Sequence, residues 1–319
     1  MKKLLVLAGP TAVGKTELSI RLAETFGMEI LSADSRQFYR EMNIGTAKPT
    51  PEQLARVPHH FINSLSIFDR YDVGMFEQDA LSLLQKLYQK QDFALLTGGS
   101  GLYIRALCEG LDDFPEIPSD IHQELEENLR TKGLQSLQEE LKKTDPRYYE
   151  QVDLQNSRRL LRALSVIRHT GKPFSAFRQM EQDQKQKPRP FQAIYLLIER
   201  PRQQLYERIN QRVLLMMEQG LLQEAQQLFP HRHLKALQTV GYQELFAHLE
   251  GHISLDEAVS LIQRNTRRYA KRQLTWFRKG NWHRFPAEAE KEILRFFRAY
   301  NYRTTKGNTT PFPSKKKCR

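Results

Sequence analysis

The fold of this chain is decided by a complete Gly-x-x-x-x-Gly-Lys-Thr loop, Gly9-Pro10-Thr11-Ala12-Val13-Gly14-Lys15-Thr16. An apolar run, residues 4–8, precedes the loop, and the helix-like stretch 17–26 follows it. Between a buried parallel strand and a helix N-terminus, such a loop directs backbone N–H groups and the positive helix end at an anion. The residues therefore predict a phosphate-binding loop in which Lys15 reaches the outer phosphate and the Thr16 hydroxyl ligates Mg²⁺.

Three further apolar runs have the length of buried strands: residues 28–33, 93–97 and 192–198. Helix-like stretches separate them, and this alternation is typical of a parallel sheet covered by helices. We therefore predict an α/β protein of the P-loop NTPase-like type, with a parallel sheet wrapped by helices. In such a sheet, ligands bind at the carboxyl ends of the strands.

The segment 113–190 differs in character from the rest of the chain. It shows no strand-like alternation, and three of its stretches have helical spacing: 121–130, 134–143 and 158–168. We predict three parts: a catalytic core of 1–112 and 191–302, an all-helical insertion domain of 113–190, and a disordered basic tail of 303–319. Within the core, residues 202–229 and 255–278 are expected to form two long helices.

The composition bounds the partners of the protein. With 49 Lys and Arg against 37 Asp and Glu, the net charge is +12, which favours a polyanionic partner such as nucleic acid. A basic protein that binds no polyanion remains the alternative. The two cysteines, Cys108 and Cys318, lie far apart and support neither a disulfide framework nor a thiolate metal site, so we expect a cytoplasmic protein. No apolar run reaches the length of about eighteen residues that a membrane span needs, so we expect no membrane partner.

An ATP-hydrolysing protein of this loop type also needs an acid for Mg²⁺, commonly at the end of a neighbouring strand. The run 93–97 continues into Gly98-Gly99-Ser100-Gly101 without a carboxylate, which argues against an NTPase. Asp34 follows the second apolar run and is the acid at a strand end. It is suited to act as a general base or to reach a metal indirectly, and capping of the next helix is the alternative.

Two glycine-containing turns add polar groups near the predicted phosphate site. Ser100 places a hydroxyl in a turn whose glycines let a substrate approach closely, although an ordinary strand-to-helix turn would look the same. Lys48, in the second turn, is a candidate phosphate contact.

Together these motifs resemble the bacterial tRNA isopentenyltransferase family, the tRNA dimethylallyltransferases. Besides the phosphate loop, the resemblance rests on six stretches: Asp34-Ser35-Arg36-Gln37 with Tyr39, Gly45-Thr46-Ala47-Lys48-Pro49, Thr97 to Tyr103, Asn156 to Leu164, Val240-Gly241-Tyr242 and Thr266 to Trp276. It covers nearly the whole chain except the tail. The chain departs from the family pattern at Ser100, where most members have Thr, and at Asn63, where Asp is common.

The resemblance implies transfer of a dimethylallyl group from dimethylallyl diphosphate to N6 of adenosine 37 in tRNAs that read codons beginning with U. It implies that residues 9–16 hold the diphosphate with Mg²⁺, that Asp34 is the base near N6, that Ser100 lies near the reacting amine and that Arg212 clamps the diphosphate. It further implies that the helical insertion binds tRNA. The implied tRNA contacts are Asp34, Ser35, Arg36, Gln37, Ser100, Arg158, Arg159, Leu160, Leu161, Arg162, Gly241 and Tyr242.

The residues themselves also favour an RNA substrate. Arg158, Arg159 and Arg162 form a basic edge on one predicted helix. On another predicted helix, Arg264, Arg268 and Arg272 recur every fourth position as a basic stripe. Tyr269, Trp276 and Phe277 interleave with this stripe, either to hold a splayed base or to pack in the core.

Three alternatives remain at this point: a P-loop small-molecule kinase, an isopentenyltransferase acting on free adenine nucleotides, and an RNA-binding module without activity. A kinase would not require the basic insertion, and a binding module would leave Lys15, Thr16 and Asp34 without a role. We expect tRNA and dimethylallyl diphosphate as partners and a monomeric protein.

Overall fold

The computed structural model describes residues 2–111, 115, 117–177 and 188–305, with side chains up to residue 300. Six parallel strands form one sheet: β1 (Lys3–Ala8), β2 (Ile30–Ala33), β3 (His59–His60), β4 (Phe93–Gly98), β5 (Gln192–Glu199) and β6 (His283–Pro286). Their order across the sheet is β3-β2-β4-β1-β5-β6. The predicted α/β class and parallel sheet are thereby confirmed. Most of the predicted basic tail, residues 306–319, lies outside the described part of the chain.

Helices occupy most of the remaining described chain. They are α1 (Lys15–Phe26), α2 (Pro51–Arg56), α3 (Val73–Leu87), α4 (Gly101–Glu109), α5 (Ser119–Thr144), α6 (Pro146–Tyr149), α7 (Ser157–Thr170), α8 (Arg202–Glu218), α9 (Leu221–Leu228), α10 (Tyr242–Leu249), α11 (Leu255–Phe277) and α12 (Glu290–Thr305). Short 3₁₀ turns cover Ile44–Thr46, Phe229–His231 and Lys235–Leu237. No described helix combines the length and the apolarity that a membrane crossing requires.

The sheet is buried on both faces because β1 contributes alternate residues to two apolar clusters. Leu5 and Leu7 pack with residues of α1, α8 and α12 on one face. Leu4 and Val6 pack with residues of α3 and α4 on the other. This burial explains why the β1 run is uniformly apolar, as parallel strands covered by helices on both faces are.

Two predicted elements differ from the observed ones. The strand predicted over 28–33 begins only at Ile30, because the Met28 amide still donates to the Ala23 carbonyl (2.9 Å) at the end of α1. The single helix predicted over 202–229 is wrong, since the chain forms α8 and α9 there. Gly220 separates them with φ of 99°, a left-handed conformation that glycine adopts without the steric cost of a Cβ and that ends a helix.

The chain divides into two compact units, residues 1–108 with 189–319 and residues 109–188. In its described residues the second unit contains helices and no strand. Leu125, Leu137 and Leu160 belong to its own apolar cluster. The helical stretches predicted over 121–130 and 134–143 lie in α5, which is interrupted at Gly133 by a positive φ of 76°.

Candidate active site

The phosphate-binding loop connects β1 to α1. Ala12 and Gly14 have positive φ values of 63° and 113°, which turn the chain sharply into the helix. The first N–H groups of α1 have no acceptor within the helix. The residue at the N-cap is Gly14, so no side chain caps these groups. These amides and the positive helix end therefore favour a bound anion at this point.

One pocket collects the predicted chemistry at the carboxyl ends of the strands. Its wall includes Thr11, Ala12, Gly14, Lys15 and Thr16 of the loop, Asp34 and Gln37 after β2, Thr97 and Gly98 at the end of β4, Gly99 directly after it, Arg212 of α8, and Tyr269 and Gln273 of α11. Of the residues predicted for the site, Gly9, Pro10 and Val13 of the loop do not line the pocket, and neither does Ser100. Gly9 packs against β5, where a Cβ would lie 2.8 Å from the Ile198 carbonyl oxygen.

Two cations, Lys15 and Arg212, line this pocket. The Lys15 Nζ donates to the carbonyl oxygens of Gly9 (2.9 Å) and Pro10 (2.8 Å). Burial lowers the pKa of Lys15 to about 8; Asp34 opposes this shift and Arg212 adds to it. Among the described residues, neither Lys15 nor Arg212 forms an ion pair.

Arg212 is likewise a buried cation whose pKa is lowered. Burial lowers its pKa, Arg208 lowers it further, and Asp34 raises it. Arg208 itself donates through Nε to the Ala12 carbonyl oxygen (3.0 Å), which fixes α8 beside the phosphate loop. Because desolvated cations of like charge disfavour one another, a multiply charged anion between Lys15 and Arg212 would relieve an existing cost.

Asp34 directly follows β2 and caps a turn. Its Oδ1 accepts the Arg36 backbone N–H (3.0 Å), and its carbonyl accepts the Gln37 N–H (3.3 Å). No α-helix begins directly after it among the described residues, so the alternative that it caps the next helix is wrong. Burial raises the pKa of Asp34 above its ordinary 3.8, against the lowering effects of the Arg36 N–H and of Lys15. A carboxylate with a raised pKa accepts a proton more readily, as a general base requires.

Ser100 follows β4 and lies beside Asp34's turn. Its backbone N–H donates to the Ala33 carbonyl (3.2 Å), and its Oγ accepts the Ser35 N–H (3.2 Å). Burial raises the pKa of Tyr269, on the pocket wall, to about 12, and the nearby Ser100 side chain opposes this shift. At Gly98 a Cβ would lie 2.2 Å from the Ala33 carbonyl oxygen, so the turn needs glycine to pass β2 this closely.

A buried carboxylate that we did not predict shapes the loop 43–47. Glu224 accepts the backbone N–H groups of Asn43 (3.0 Å) and Ile44 (2.8 Å) through Oε2 and that of Gly45 (2.9 Å) through Oε1. The Tyr242 hydroxyl also donates to Oε1 (2.6 Å). Carbonyls of the same loop then accept the Gln37 side-chain amide. Glu224 therefore holds one wall of the pocket from behind.

Replacing Glu224 by glutamine should lower the free energy of unfolding by about 2–4 kcal/mol, because an amide cannot accept from all four donors and buried donors are costly to leave unpaired. Urea unfolding followed by circular dichroism measures the change. Glu218→Gln on the exposed end of α8 is the control and should change stability by less than about 0.5 kcal/mol. Equal, small effects of both changes would show that Glu224 does not hold the loop.

Two of the predicted tRNA contacts, Tyr242 and Leu160, have buried side chains. Tyr242 is 0% exposed, and a Cβ on Gly45 would lie 2.6 Å from its ring, so Tyr242 fills the core behind the loop 43–47. Leu160 is also 0% exposed and packs inside the helical unit. The neighbouring Gly241 starts α10 with φ of 102°, and its N–H donates to Glu244 (2.8 Å).

Lys48, a candidate phosphate contact, hydrogen-bonds to other residues of the protein instead. Its Nζ donates to the Tyr39 carbonyl (2.5 Å) and to the side-chain oxygens of Asn43 (3.0 Å) and Asn63 (2.6 Å). Burial lowers the pKa of Lys48 to about 8. Because three acceptors use its three N–H groups and it does not line the pocket, Lys48 braces the loop rather than meeting phosphate.

The remaining predicted tRNA contacts lie on two surfaces. Ser35, Arg36 and Gln37 form the turn beside the pocket, where Arg36 Nη1 donates to the carbonyls of Lys235 (3.2 Å) and Ala236 (3.0 Å). In the helical unit, Asn156 caps α7 by accepting the Arg159 N–H (3.3 Å). The α7 surface carries the exposed Arg158, Arg159 and Arg162 and the partly exposed Leu161.

The basic stripe on α11 has the predicted exposure. Arg264, Arg268 and Arg272 are exposed, and the Arg272 guanidinium lies 5.7 Å from the centre of the Tyr269 ring. The aromatic residues differ in exposure: Phe277 is 0% exposed and packs in the core, whereas Trp276 is 45% exposed, and its predicted contact with a base stays a prediction.

This chain is similar in sequence and in structure to proteins of one known family. The family model described as IPP transferase matches residues 37–280. A tRNA dimethylallyltransferase of Christiangramia forsetii is 49% identical over 294 residues, covering 91% of this chain and 96% of the relative. A tRNA dimethylallyltransferase 1 of Bacteroides fragilis is 46% identical over 299 residues, covering 93% and 98%. The crystal structure of a tRNA isopentenylpyrophosphate transferase from Bacillus halodurans superposes with a TM-score of 0.72 at 35% identity, covering 97% of this chain and 100% of that one.

Proposed function

This chain belongs to the IPP transferase family, and we propose that it transfers a dimethylallyl group from dimethylallyl diphosphate to N6 of adenosine 37 in tRNA. The tRNAs would be those that read codons beginning with U, and diphosphate would be the second product. The names of its relatives and the motifs along the chain support this proposal.

One observation carries the proposal in this structure. Lys15, Arg212 and the N-terminal residues of α1 line the same pocket as Asp34, and neither cation forms an ion pair with any residue that the structure describes. Such a pocket suits an anionic leaving group on one side and a proton acceptor on the other. A phosphoryl-transfer site would instead bring an acid for Mg²⁺ at the end of β4, where this chain has Thr97 and glycines.

The proposed reaction follows from these positions. The bond between C1 of the dimethylallyl group and the diphosphate oxygen breaks, and the adenine N6 forms the new bond to C1. Lys15, Arg212 and the loop amides stabilise the charge that develops on the diphosphate. The Asp34 carboxylate takes the proton that N6 loses, and the Ser100 hydroxyl orients the amine.

The Thr16 hydroxyl on the pocket wall fits Mg²⁺ held mainly by diphosphate oxygens and water. Mg²⁺ usually retains several waters and uses few protein ligands when substrate phosphates are present. Consistent with that mode, the described residues contain no cluster of three or more His, Cys, Asp or Glu that could enclose a metal. When bound, Mg²⁺ would neutralise charge on the leaving diphosphate.

Incubation with labelled dimethylallyl diphosphate and Mg²⁺, in the presence of tRNA, AMP or ATP, tests the proposal. Label incorporated into tRNA alone supports it. Label in AMP or ATP would indicate an isopentenyltransferase acting on free nucleotides. Turnover of ATP without prenyl transfer would indicate a kinase or an ATPase. Label in a free nucleotide and ATP turnover without prenyl transfer would each overturn the proposal.

Replacing Arg158 by alanine should weaken tRNA binding. It should also reduce the slope of log Kd against log salt concentration by about the amount that one phosphate contact contributes. The reason is that Arg158 is exposed on α7, within the unit proposed to bind tRNA. Filter binding at several salt concentrations measures the slope. Arg130→Ala in the same unit serves as control, because Arg130 pairs with Glu127 (2.7 Å). A slope unchanged by Arg158→Ala would assign that arginine a role other than phosphate binding.

A further inference from the structure

Gln273, on α11, joins two loops that contribute to the pocket wall. Its side-chain Oε1 accepts the backbone N–H of Thr11 (2.8 Å), in the phosphate-binding loop. Its Nε2 donates to the carbonyl oxygen of Gly99 (2.9 Å), in the turn that precedes Ser100. The residue is 6% exposed. A single buried amide therefore connects the anion site to the turn that carries Ser100.

The two loops leave from neighbouring strands. Strands β1 and β4 pair in register up to Ala8 and Gly98, so their loops diverge from adjacent points at the same edge of the sheet. Past that point, backbone pairing no longer sets the separation of the loops. The Gln273 amide bridges them there, with a donor for one loop and an acceptor for the other.

The fit of the amide is specific to this pair of groups. Glutamine offers both an acceptor and a donor, which a Thr11 N–H and a Gly99 carbonyl require together. A Cβ on Gly99 would lie 2.2 Å from the Gln273 Nε2, so glycine at this position makes room for the amide. Both Gly99 and Gln273 are residues of the pocket wall.

The helix does not need this amide to stay in place. On α11, Ala270 and Phe277 are 0% exposed and belong to the apolar clusters on the two sides of the sheet. Apolar contacts therefore anchor α11 on both sides of Gln273. The hydrogen bonds of Gln273 act on the loops, whose backbone groups would otherwise be unpaired in a buried place.

We propose that Gln273 is a positioning residue that fixes the phosphate-binding loop relative to the Ser100 turn. Resting on the proposed function, the inference is that Gln273 sets the separation between the diphosphate site and the amine that attacks. Small errors in such a separation slow a reaction strongly because the reacting atoms must be held close together and aligned.

The test compares Gln273→Met, which keeps the length of the side chain but removes both hydrogen bonds, with the wild-type protein. Binding of inorganic pyrophosphate in the presence of Mg²⁺ is measured by calorimetry, and kcat and KM are measured for prenyl transfer to tRNA. We expect the Kd for pyrophosphate to rise about tenfold, as the loss of one to two buried hydrogen bonds predicts. We expect kcat to fall about tenfold or more, with the KM for tRNA within about twofold of wild type.

Two more variants keep the test decisive. Gly99→Ala should reproduce the defect by displacing the amide, and its effect should add little to that of Gln273→Met, since both break the same contact. Gln263→Met on the same helix is the matched control. Among the described residues Gln263 donates to the Asn210 carbonyl (3.3 Å) and does not line the pocket, so pyrophosphate binding and kcat should stay within about twofold.

Pyrophosphate binding separates this inference from the proposed function. If wild-type protein binds pyrophosphate but transfers no prenyl group to tRNA, the proposed function fails, while weaker binding by Gln273→Met still supports the role of Gln273 in the loop. If folded Gln273→Met binds pyrophosphate and turns over like wild type, or if Gly99→Ala and Gln273→Met have fully additive effects, the inference is overturned.

Discussion

Replacing Asp34 by asparagine is expected to slow dimethylallyl transfer by about 10²-fold or more, while tRNA binding stays within about twofold of wild type. Asparagine keeps the size of the side chain and an Oδ1 that can accept the Arg36 N–H, as Asp34 does at 3.0 Å. It cannot take a proton from the adenine amine. The change therefore removes the base and leaves the turn after β2 in place.

Single-turnover transfer and filter binding of tRNA measure the two quantities separately. Asp92→Asn is the control, because Asp92 is an exposed carboxylate that pairs with Lys2 (2.8 Å) just before β4, at the opposite end of the strand from the pocket. Rates for Asp92→Asn should equal those of wild type. Transfer by Asp34→Asn at the wild-type rate, or a loss of tRNA affinity that accounts for the whole defect, would remove Asp34 from the role of base.

Replacing Lys15 by methionine is expected to lower kcat/KM for dimethylallyl diphosphate by about 10²–10³-fold, the range seen when a preorganised group that stabilises developing charge is removed. Methionine keeps an unbranched chain of similar length but no charge. The change also leaves the Gly9 and Pro10 carbonyls without the donor they have now. Steady-state kinetics with saturating tRNA measure the effect. The exposed Lys90→Met is the control, and an equal effect of both changes would contradict the role of Lys15.

The pH dependence of kcat/KM also tests the role of the Lys15 charge. The pKa of Lys15 lies at about 8, so its positive charge is present below that pH and is lost as the pH rises through it. Because kcat/KM reports the free enzyme, it should fall above a pH of about 8. Lys15→Arg should remove this fall, since arginine stays protonated. Lys48 also has a pKa of about 8, so persistence of the fall in Lys15→Arg would assign it to another group.

The α/β fold and the family resemblance were predictable because their signals are local in the sequence. The run before Gly9, the spacing of Gly14-Lys15-Thr16 and the position of Asp34 after the second run each depend on a few adjacent residues. Parallel pairing then brings the ends of β1, β2 and β4 together, and with them the loop, Asp34 and Ser100. The chemical roles assigned to these residues stay predictions.

The parts that sequence reasoning missed depend on distant backbone partners. Glu224 and Gln273 bind N–H and carbonyl groups that lie more than 170 residues away in the chain, and no residue pattern encodes such contacts. Strands β3 and β6 were not predicted from the sequence. They have only two and four residues, all partly exposed, which is too short for a periodic signal. Tyr242 and Leu160 belong to motifs of the family, but burial gives their side chains structural roles.

In the proposed reaction, the phosphate-binding loop holds a diphosphate leaving group while an adenine in tRNA is prenylated. To test this claim, tRNA is incubated with the protein, dimethylallyl diphosphate and Mg²⁺ and then digested, and both the modified nucleosides and the released diphosphate are quantified, the nucleosides by mass spectrometry. We predict N6-(dimethylallyl)adenosine at position 37 and diphosphate in equal amounts. Unmodified tRNA, or diphosphate released without prenylated adenosine, would contradict the claim.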